Sequence, residues 1–403
     1  MQISILPCRA VGSISAPPSK SMAHRLLICA ALSEGRSVIR GISESEDVRA
    51  TLDCLSALGA DCRIEGDCVT VEGIDPTIAV PRKSLCCRES GSTLRFLIPV
   101  ALLSGRKVNF VCEPSLARRP MEIYCGLSAE KNFLFAQDGQ SITVQGPLSA
   151  GEYRVAGNIS SQFISGLLFA LPLCRGDSII RLIPPIESRS YIELTLSALR
   201  TFGVEAEWQD RETLRVRGGQ RYLSQDTMVE GDYSNAAFLD ALNLLGGEVA
   251  VTGLSPNSLQ GDRVYRNYFE RLKQKNAVLN IEDCPDLGPI LFAMAAVLHG
   301  ATFTGTRRLS IKESDRATAM AQELAKCGVG VRIYEDSVMI ENGSLHAPIE
   351  PFDGHNDHRI VMATAILCTL LGGSVRGAEA VKKSFPDFFV SLKRLGVEVQ
   401  EHE

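Results

Sequence analysis

The residues able to do chemistry gather at the starts of a few apolar runs. Pro17-Pro18-Ser19-Lys20-Ser21-Met22-Ala23-His24-Arg25 leads into the apolar residues 26–32, which Gly35 stops. The pattern predicts a helix with a serine cap. Lys20 and Arg25 then fall in its first turns, where the helix dipole is positive and cations are unfavourable. An anion seated among them removes that conflict, so the stretch predicts an anion site at a helix N-terminus. Taken singly, each of these cations is equally a solvated surface charge.

The same placement recurs along the chain. Arg95 follows Ser90-Gly91-Ser92-Thr93, and Ser160-Ser161-Gln162, Asp286 and Asp357-His358-Arg359 each precede another apolar run. Charges also cluster in Arg118-Arg119-Pro120, Lys312-Glu313-Ser314-Asp315-Arg316 and Lys382-Lys383-Ser384-Phe385-Pro386. At least seven cations thus occupy equivalent places in a chain of net charge -5, with the carboxylates of Asp286 and Glu313 among them. The chemistry this predicts is binding of strongly anionic small molecules, with groups that can move protons.

The elements that position these residues form a repeat. Six apolar helices are predicted, each starting at a capping residue and ending at Gly35, Gly105, Gly176, Gly246, Gly300 or Gly372, at spacings of 70, 71, 70, 54 and 72. A fixed period is the mark of a repeated unit. Each glycine is followed by a short β-type run and then an amphipathic helix, at residues 47–58, 119–131, 191–202, 262–275, 315–327 and 386–395. Four units close with a hairpin; the fourth and sixth lack one. Three units make a core of ordinary domain size. The expected domains are residues 13–226, and residues 1–12 with 227–403, the first strand completing the second domain. Alternating strands and helices predict an α/β fold with buried parallel helices whose N-termini emerge on one face. Pro99 and Pro172 lie inside predicted helices, where kinks are expected.

Composition narrows the function. A 45% hydrophobic, 22% charged chain is globular, and its negative net charge disfavours a nucleic-acid surface. The 13 cysteines include no CxxC and mostly sit in apolar runs, so reduced thiols and a cytoplasmic location are expected. No signal segment or membrane span is expected. No metal-ligand spacing and no nucleotide loop is present in the sequence.

Seven motifs carry a resemblance. They are Pro18-Ser19-Lys20-Ser21 with Arg25, Ser90-Gly91-Ser92-Thr93 with Arg95, Arg119-Pro120, Gly157-Asn158-Ile159-Ser160-Ser161-Gln162-Phe163, Lys312 to Arg316, Asn356-Asp357-His358-Arg359 and Lys383-Ser384-Phe385-Pro386-Asp387. In this order, along the whole chain, they resemble the 5-enolpyruvylshikimate-3-phosphate synthases (3-phosphoshikimate 1-carboxyvinyltransferases). The resemblance implies two domains of three βαβαββ units each, inverse α/β barrel-like, with the active site in the interdomain cleft. It implies a monomeric, cofactor-free transferase of the shikimate pathway, serving chorismate and aromatic amino-acid biosynthesis. The 1-carboxyvinyl group of phosphoenolpyruvate would pass to the 5-hydroxyl of shikimate 3-phosphate, with release of phosphate.

The resemblance also implies site residues. Lys20, Gly91, Arg119, Gln162, Arg316, Arg359 and Lys383 match phosphoenolpyruvate contacts. Lys20, Ser21, Arg25, Ser160, Ser161, Gln162, Ser188, Tyr191, Asp286, Arg308 and Lys312 match shikimate 3-phosphate contacts. Asp286, Glu313 and Lys20 match catalytic groups. Glyphosate would occupy the phosphoenolpyruvate pocket, which the Gly91 turn borders. The chain departs from the family pattern at the turn itself, with Glu89 where asparagine is common, and at Arg308, also commonly asparagine. Two other readings stay open. One is the sister transferase acting on a UDP-linked amino sugar, since Cys112 and Cys125 flank Arg118-Arg119. The other is a non-catalytic anion-binding relative.

Overall fold

The computed structural model describes residues 1–402. Contacts divide the chain into two compact units, Pro18–Glu230 and Met1–Pro17 together with the chain from Gly231 onward. Each has its own apolar core.

The contiguous unit carries helices α1 (Lys20–Ala31), α2 (Glu46–Leu58), α3 (Gly91–Leu102), α4 (Glu122–Lys131), α5 (Ser161–Ala170) and α6 (Arg189–Thr201). The split unit carries α7 (Tyr233–Leu244), α8 (Tyr265–Leu272), α9 (Gly288–Val297), α10 (Arg316–Ala325), α11 (His358–Leu371) and α12 (Phe388–Arg394). The odd-numbered helices are the buried ones; α3 buries every residue except Ser92.

Sheet topology explains why. Across α3, α5, α9 and α11 the strand before the buried helix runs parallel to the strand after it, as Leu85–Arg88 does to Lys107–Cys112, and parallel partners require a crossover that covers the sheet. The hairpin then adds antiparallel strands, here Ser141–Gln145 and Leu134–Asp138. The first repeat borrows its leading strand from the end of its unit, Asp226–Met228 lying parallel to Arg36–Arg40. In the split unit Val11–Ser15 lies parallel to Glu248–Thr252, and Gln2–Ile5 sits antiparallel to Gly373–Arg376 and Val399–His402. These pairings move the chain crossings from the expected 12/13 and 226/227 to Pro17/Pro18 and Glu230/Gly231.

Several element bounds differ from the sequence reading. The helix expected over 119–131 begins only at Glu122; a one-turn helix, Pro114–Ala117, precedes it. Pro120 lacks an N–H and disfavours helical backbone at Arg119, so Arg118-Arg119-Pro120 form a link instead. The sixth amphipathic helix is shorter than expected, and Lys382 and Lys383 lie in a 3₁₀ segment before it, Ala378–Lys383. Asp286 sits in the 3₁₀ turn Pro285–Leu287 that leads into α9. Pro172 ends α5 as an α-helix and passes it to a 3₁₀ turn. Pro99 leaves α3 continuous. Its missing N–H orphans the carbonyl of Arg95, which instead accepts the Tyr124 hydroxyl at 2.5 Å. Gly166 on α5 makes room there, since a Cβ would lie 2.4 Å from that oxygen.

Candidate active site

In the contiguous unit, Ser19 caps α1 by accepting the Met22 N–H at 3.4 Å, which starts the helix at Lys20. Lys20 Nζ contacts Asp47 Oδ2 of α2 at 2.7 Å. Arg25 is 2% exposed. Its guanidinium donates to Thr195 Oγ1 at 2.9 Å, the Ser21 carbonyl at 2.6 Å and the Tyr191 carbonyl at 2.9 Å, and lies 5.1 Å from the centre of the Phe96 ring. All three acceptors are neutral. Burial lowers the Arg25 pKa to about 10, so the group stays cationic in the interior without a carboxylate bonded to it. Such a charge calls for an external anion.

Ser90 caps α3 and Ser160 caps α5, each by its side chain. Gln162 then accepts from Arg95 Nη1 at 2.7 Å and donates to Ser92 at 3.0 Å. Arg95 also donates to the Pro120 carbonyl at 3.0 Å. These groups converge on Gly91, where a Cβ would lie 3.2 Å from Arg119 Nη1, 3.4 Å from Gln162 Oε1 and 3.5 Å from Arg95 Nη1. The Arg119 guanidinium makes no hydrogen bond to the described residues, and its Nε is buried. Ser161 opens α5. Ser188, buried, takes left-handed backbone with φ 54° at the start of α6, followed by Arg189 stacked 3.8 Å over Trp208.

The split unit gathers the carboxylates. Arg316 is 1% exposed. It donates from Nη1 to Asp286 at 2.7 Å, from Nη2 to Glu313 at 2.8 Å and from Nε to Asp357 at 2.9 Å. Lys312 Nζ lies 3.1 Å from Asp286 Oδ1, and Arg359 Nη2 lies 3.7 Å from its Oδ2. Burial would push the Asp286 carboxyl up, but Lys312, Arg316 and Arg359 outweigh it and hold its pKa well below the usual range. Burial draws Lys312 downward, against the pull of Asp286 and with help from Arg308. Arg308 itself is buried in the 3₁₀ segment Arg307–Ile311. Lys383 donates to the Asn356 carbonyl at 2.7 Å.

The structure therefore sorts the expected residues into two sets. Lys20, Ser21, Arg25, Gly91, Arg119, Ser160, Ser161, Gln162, Ser188 and Tyr191 belong to the contiguous unit, and Asp286, Arg308, Lys312, Glu313, Arg316, Arg359 and Lys383 to the split one. Sequence reasoning missed three supports. Asp47 holds Lys20, Asp357 binds Arg316 besides capping α11, and the buried Asn235 accepts from Arg359 at 3.3 Å. Only Asp357 lay inside a recognisable motif. No group of three or more metal-binding side chains is present among the described residues.

Comparison with known proteins bears on these groups. The family model of EPSP synthase (3-phosphoshikimate 1-carboxyvinyltransferase) matches residues 7–392. The 3-phosphoshikimate 1-carboxyvinyltransferase of Clostridium kluyveri is 37% identical across 99% of this chain and 98% of its own. That of Clostridium acetobutylicum is 39% identical across 99% and 98%. An EPSP synthase structure from Acinetobacter baumannii shares the fold, with a TM-score of 0.80 at 23% identity over 99% of this chain and 100% of that one. With a family match along nearly its whole length and full-length relatives above one-third identity, the chain belongs to the EPSP synthase family.

Proposed function

We propose that the side chains described above carry 1-carboxyvinyl transfer from phosphoenolpyruvate to the 5-hydroxyl of shikimate 3-phosphate. The observation that carries this reading is Arg25, buried with only neutral partners. A phosphate monoester with two negative charges supplies the missing counter-charge. Ser21, Ser160, Ser161, Ser188 and Tyr191 belong to that half of the acceptor site. Asp286, Arg308 and Lys312 serve it from the split unit.

Arg119, whose guanidinium makes no hydrogen bond among the described residues, binds the phosphoenolpyruvate anion beside Gly91 and Gln162. Arg316, Arg359 and Lys383 serve the phosphoenolpyruvate site from the split unit. In the reaction the 5-hydroxyl oxygen bonds to C2 of phosphoenolpyruvate and gives up its proton, while the methylene carbon gains one. The product is a tetrahedral ketal. Loss of the carbon-bound proton and of phosphate then forms the enol ether. Asp286, held ionised by three cations, accepts and orients the hydroxyl. Glu313 exchanges the proton on carbon, and Lys20 serves the departing phosphate.

Thirteen free thiols, most of them buried, support a reducing, cytoplasmic setting, and we read the chain as a monomer. No described helix is long and apolar enough to cross a membrane. The deciding assay follows phosphate release from phosphoenolpyruvate with shikimate 3-phosphate and, separately, with UDP-N-acetylglucosamine. Release with the first alone is expected, and Arg25→Ala should raise the KM for shikimate 3-phosphate by on the order of 10²-fold. Release with the sugar nucleotide, or an unchanged KM, refutes the assignment.

A further inference from the structure

A run of buried hydrogen bonds crosses the seam between α1, α2 and α3. Lys20 Nζ meets Asp47 Oδ2 at 2.7 Å, and one turn later His24 Nδ1 meets Thr51 Oγ1, also at 2.7 Å. Both pairs are 27 residues apart in sequence, so they are successive rungs of a single contact between α1 and α2. Thr51 Oγ1 lies 2.6 Å from Thr93 Oγ1 on α3. Thr93 Oγ1 in turn donates to Ser90 Oγ at 2.7 Å, at the cap beside Gly91. His24, Thr51, Thr93 and Ser90 are each at most 1% exposed.

The protons in this run point one way. A hydroxyl has one proton to give. That of Thr93 goes to Ser90 at 2.7 Å, with the Asp47 carbonyl a longer second acceptor at 3.5 Å, so none is left for Thr51; the Ser90 oxygen also accepts the Thr93 N–H at 3.3 Å. Thr51 must then donate to Thr93, which leaves its own oxygen to accept from His24. The imidazole proton therefore sits on Nδ1. The other nitrogen, Nε2, is buried with no hydrogen-bond partner among the described residues, and an unmet acceptor is tolerated better than an unmet N–H. The reversed chain would bury an unbonded Nε2–H and would need Ser90 to donate to Thr93, opposite to the direction the Thr93–Ser90 bond takes. Burial first, then the neighbouring charges of Lys20 and Arg25, disfavour protonation of both nitrogens.

We propose that His24 and Thr51 are positioning residues for phosphoenolpyruvate, acting through this one-way chain to lock the Ser90–Gly91 turn to the Lys20 end of α1. The role rests on the reading above that Lys20, Gly91 and Arg119 border the phosphoenolpyruvate site. Nitrogen-15 NMR of the histidines in the full chain, with His24→Asn for assignment, reads the tautomer without ligand. A neutral ring protonated on Nδ1 is expected. Thr51→Val cuts the chain, so the tautomer preference should be lost. The KM for phosphoenolpyruvate should rise about tenfold, as for one unmet buried partner, and that for shikimate 3-phosphate should stay within about twofold. Thr51→Ser, which keeps the hydroxyl, should restore both readouts.

A proton on Nε2 in the wild type overturns the chain. Equal rises in both KM values for Thr51→Val overturn the positioning role. So does an unmoved phosphoenolpyruvate KM, provided that Arg119→Ala still raises it. If Arg119→Ala leaves that KM unmoved, the placement of phosphoenolpyruvate in this half-site is wrong, and the positioning role falls with it.

Discussion

Arg25 and Arg316 are the most deeply buried arginines among the candidate residues, one in each unit, and they are partnered in opposite ways. Arg25 bonds only neutral oxygens, whereas Arg316 holds three carboxylates. Glu313 is one of the three and can lose its charge while Arg316 keeps Asp286 and Asp357. Glu313→Gln should therefore fold normally and bind shikimate 3-phosphate nearly as tightly, while turnover falls by on the order of 10²-fold or more. Turnover within a few-fold of wild type would remove Glu313 as a proton carrier. Gly91 is a second case decided by single atoms. Its backbone lies outside the left-handed region, so an added methyl acts only by contact. It would crowd only the end of the long Arg119 side chain, at 3.2 Å, and would meet Gln162 and Arg95 at ordinary contact distances of 3.4 and 3.5 Å. Gly91→Ala should fold, glyphosate should compete with phosphoenolpyruvate, and the substitution should raise the inhibition constant of glyphosate more than the KM of the shorter phosphoenolpyruvate. A rise by the same factor in both constants would show that this turn does not select by ligand length.

Between elements, the turn before α11 is held by a titratable group. His355 and Asn356 both have left-handed backbone, φ 48° and 52°, directly before Asp357 caps the helix. Glu323 of α10, 1% exposed, anchors the turn by accepting from His355 Nε2 at 2.8 Å and from the Asp353 N–H at 2.8 Å. The Glu323 bond raises the His355 pKa above its ordinary value despite partial burial. A raised folded-state pKa means this contribution is fully present below the unfolded pKa of about 6.5. It is lost as pH rises through the folded value. The stability advantage of wild type over His355→Gln, measured by denaturant unfolding, should thus be largest below about pH 6.5 and shrink at higher pH. An advantage that grows with pH would contradict the sign.

At the scale of the molecule, the two units differ in how they are cut from the chain. Pro18–Glu230 is contiguous, has its own core and supplies its own leading strand from Asp226–Met228. Expressed alone it should fold and bind shikimate 3-phosphate through Arg25, more weakly than the full chain because it lacks the contributions proposed for Asp286, Arg308 and Lys312. The chain has one tryptophan. Trp208 lies under Arg189, the residue that follows Ser188 in the chain, so its emission should change saturably with the ligand, and not in the Arg25→Ala fragment. An unfolded fragment by circular dichroism would show that the contiguous unit is not self-sufficient.

The sequence by itself determined the repeat, its six buried helices, its four hairpins and the places where charge collects. Those features follow from local rules: Ser19, Ser90, Ser160 and Asp357 cap helices with their own side chains, and apolar runs ending in glycine need no distant partner to be read. Pro120 shows the limit even of local reading, because it moved Arg119 off a helix that the pattern had continued. Tertiary structure alone decided which group meets each charge. Lys20 finds Asp47 27 residues away, Arg316 finds Asp357 41 residues away, and the protons of His24, Thr51 and Thr93 line up only because three helices pack side by side. Helix periodicity orders residues along one element, but a hydrogen bond is made or lost within a few tenths of an ångström between elements. Only packing sets that distance.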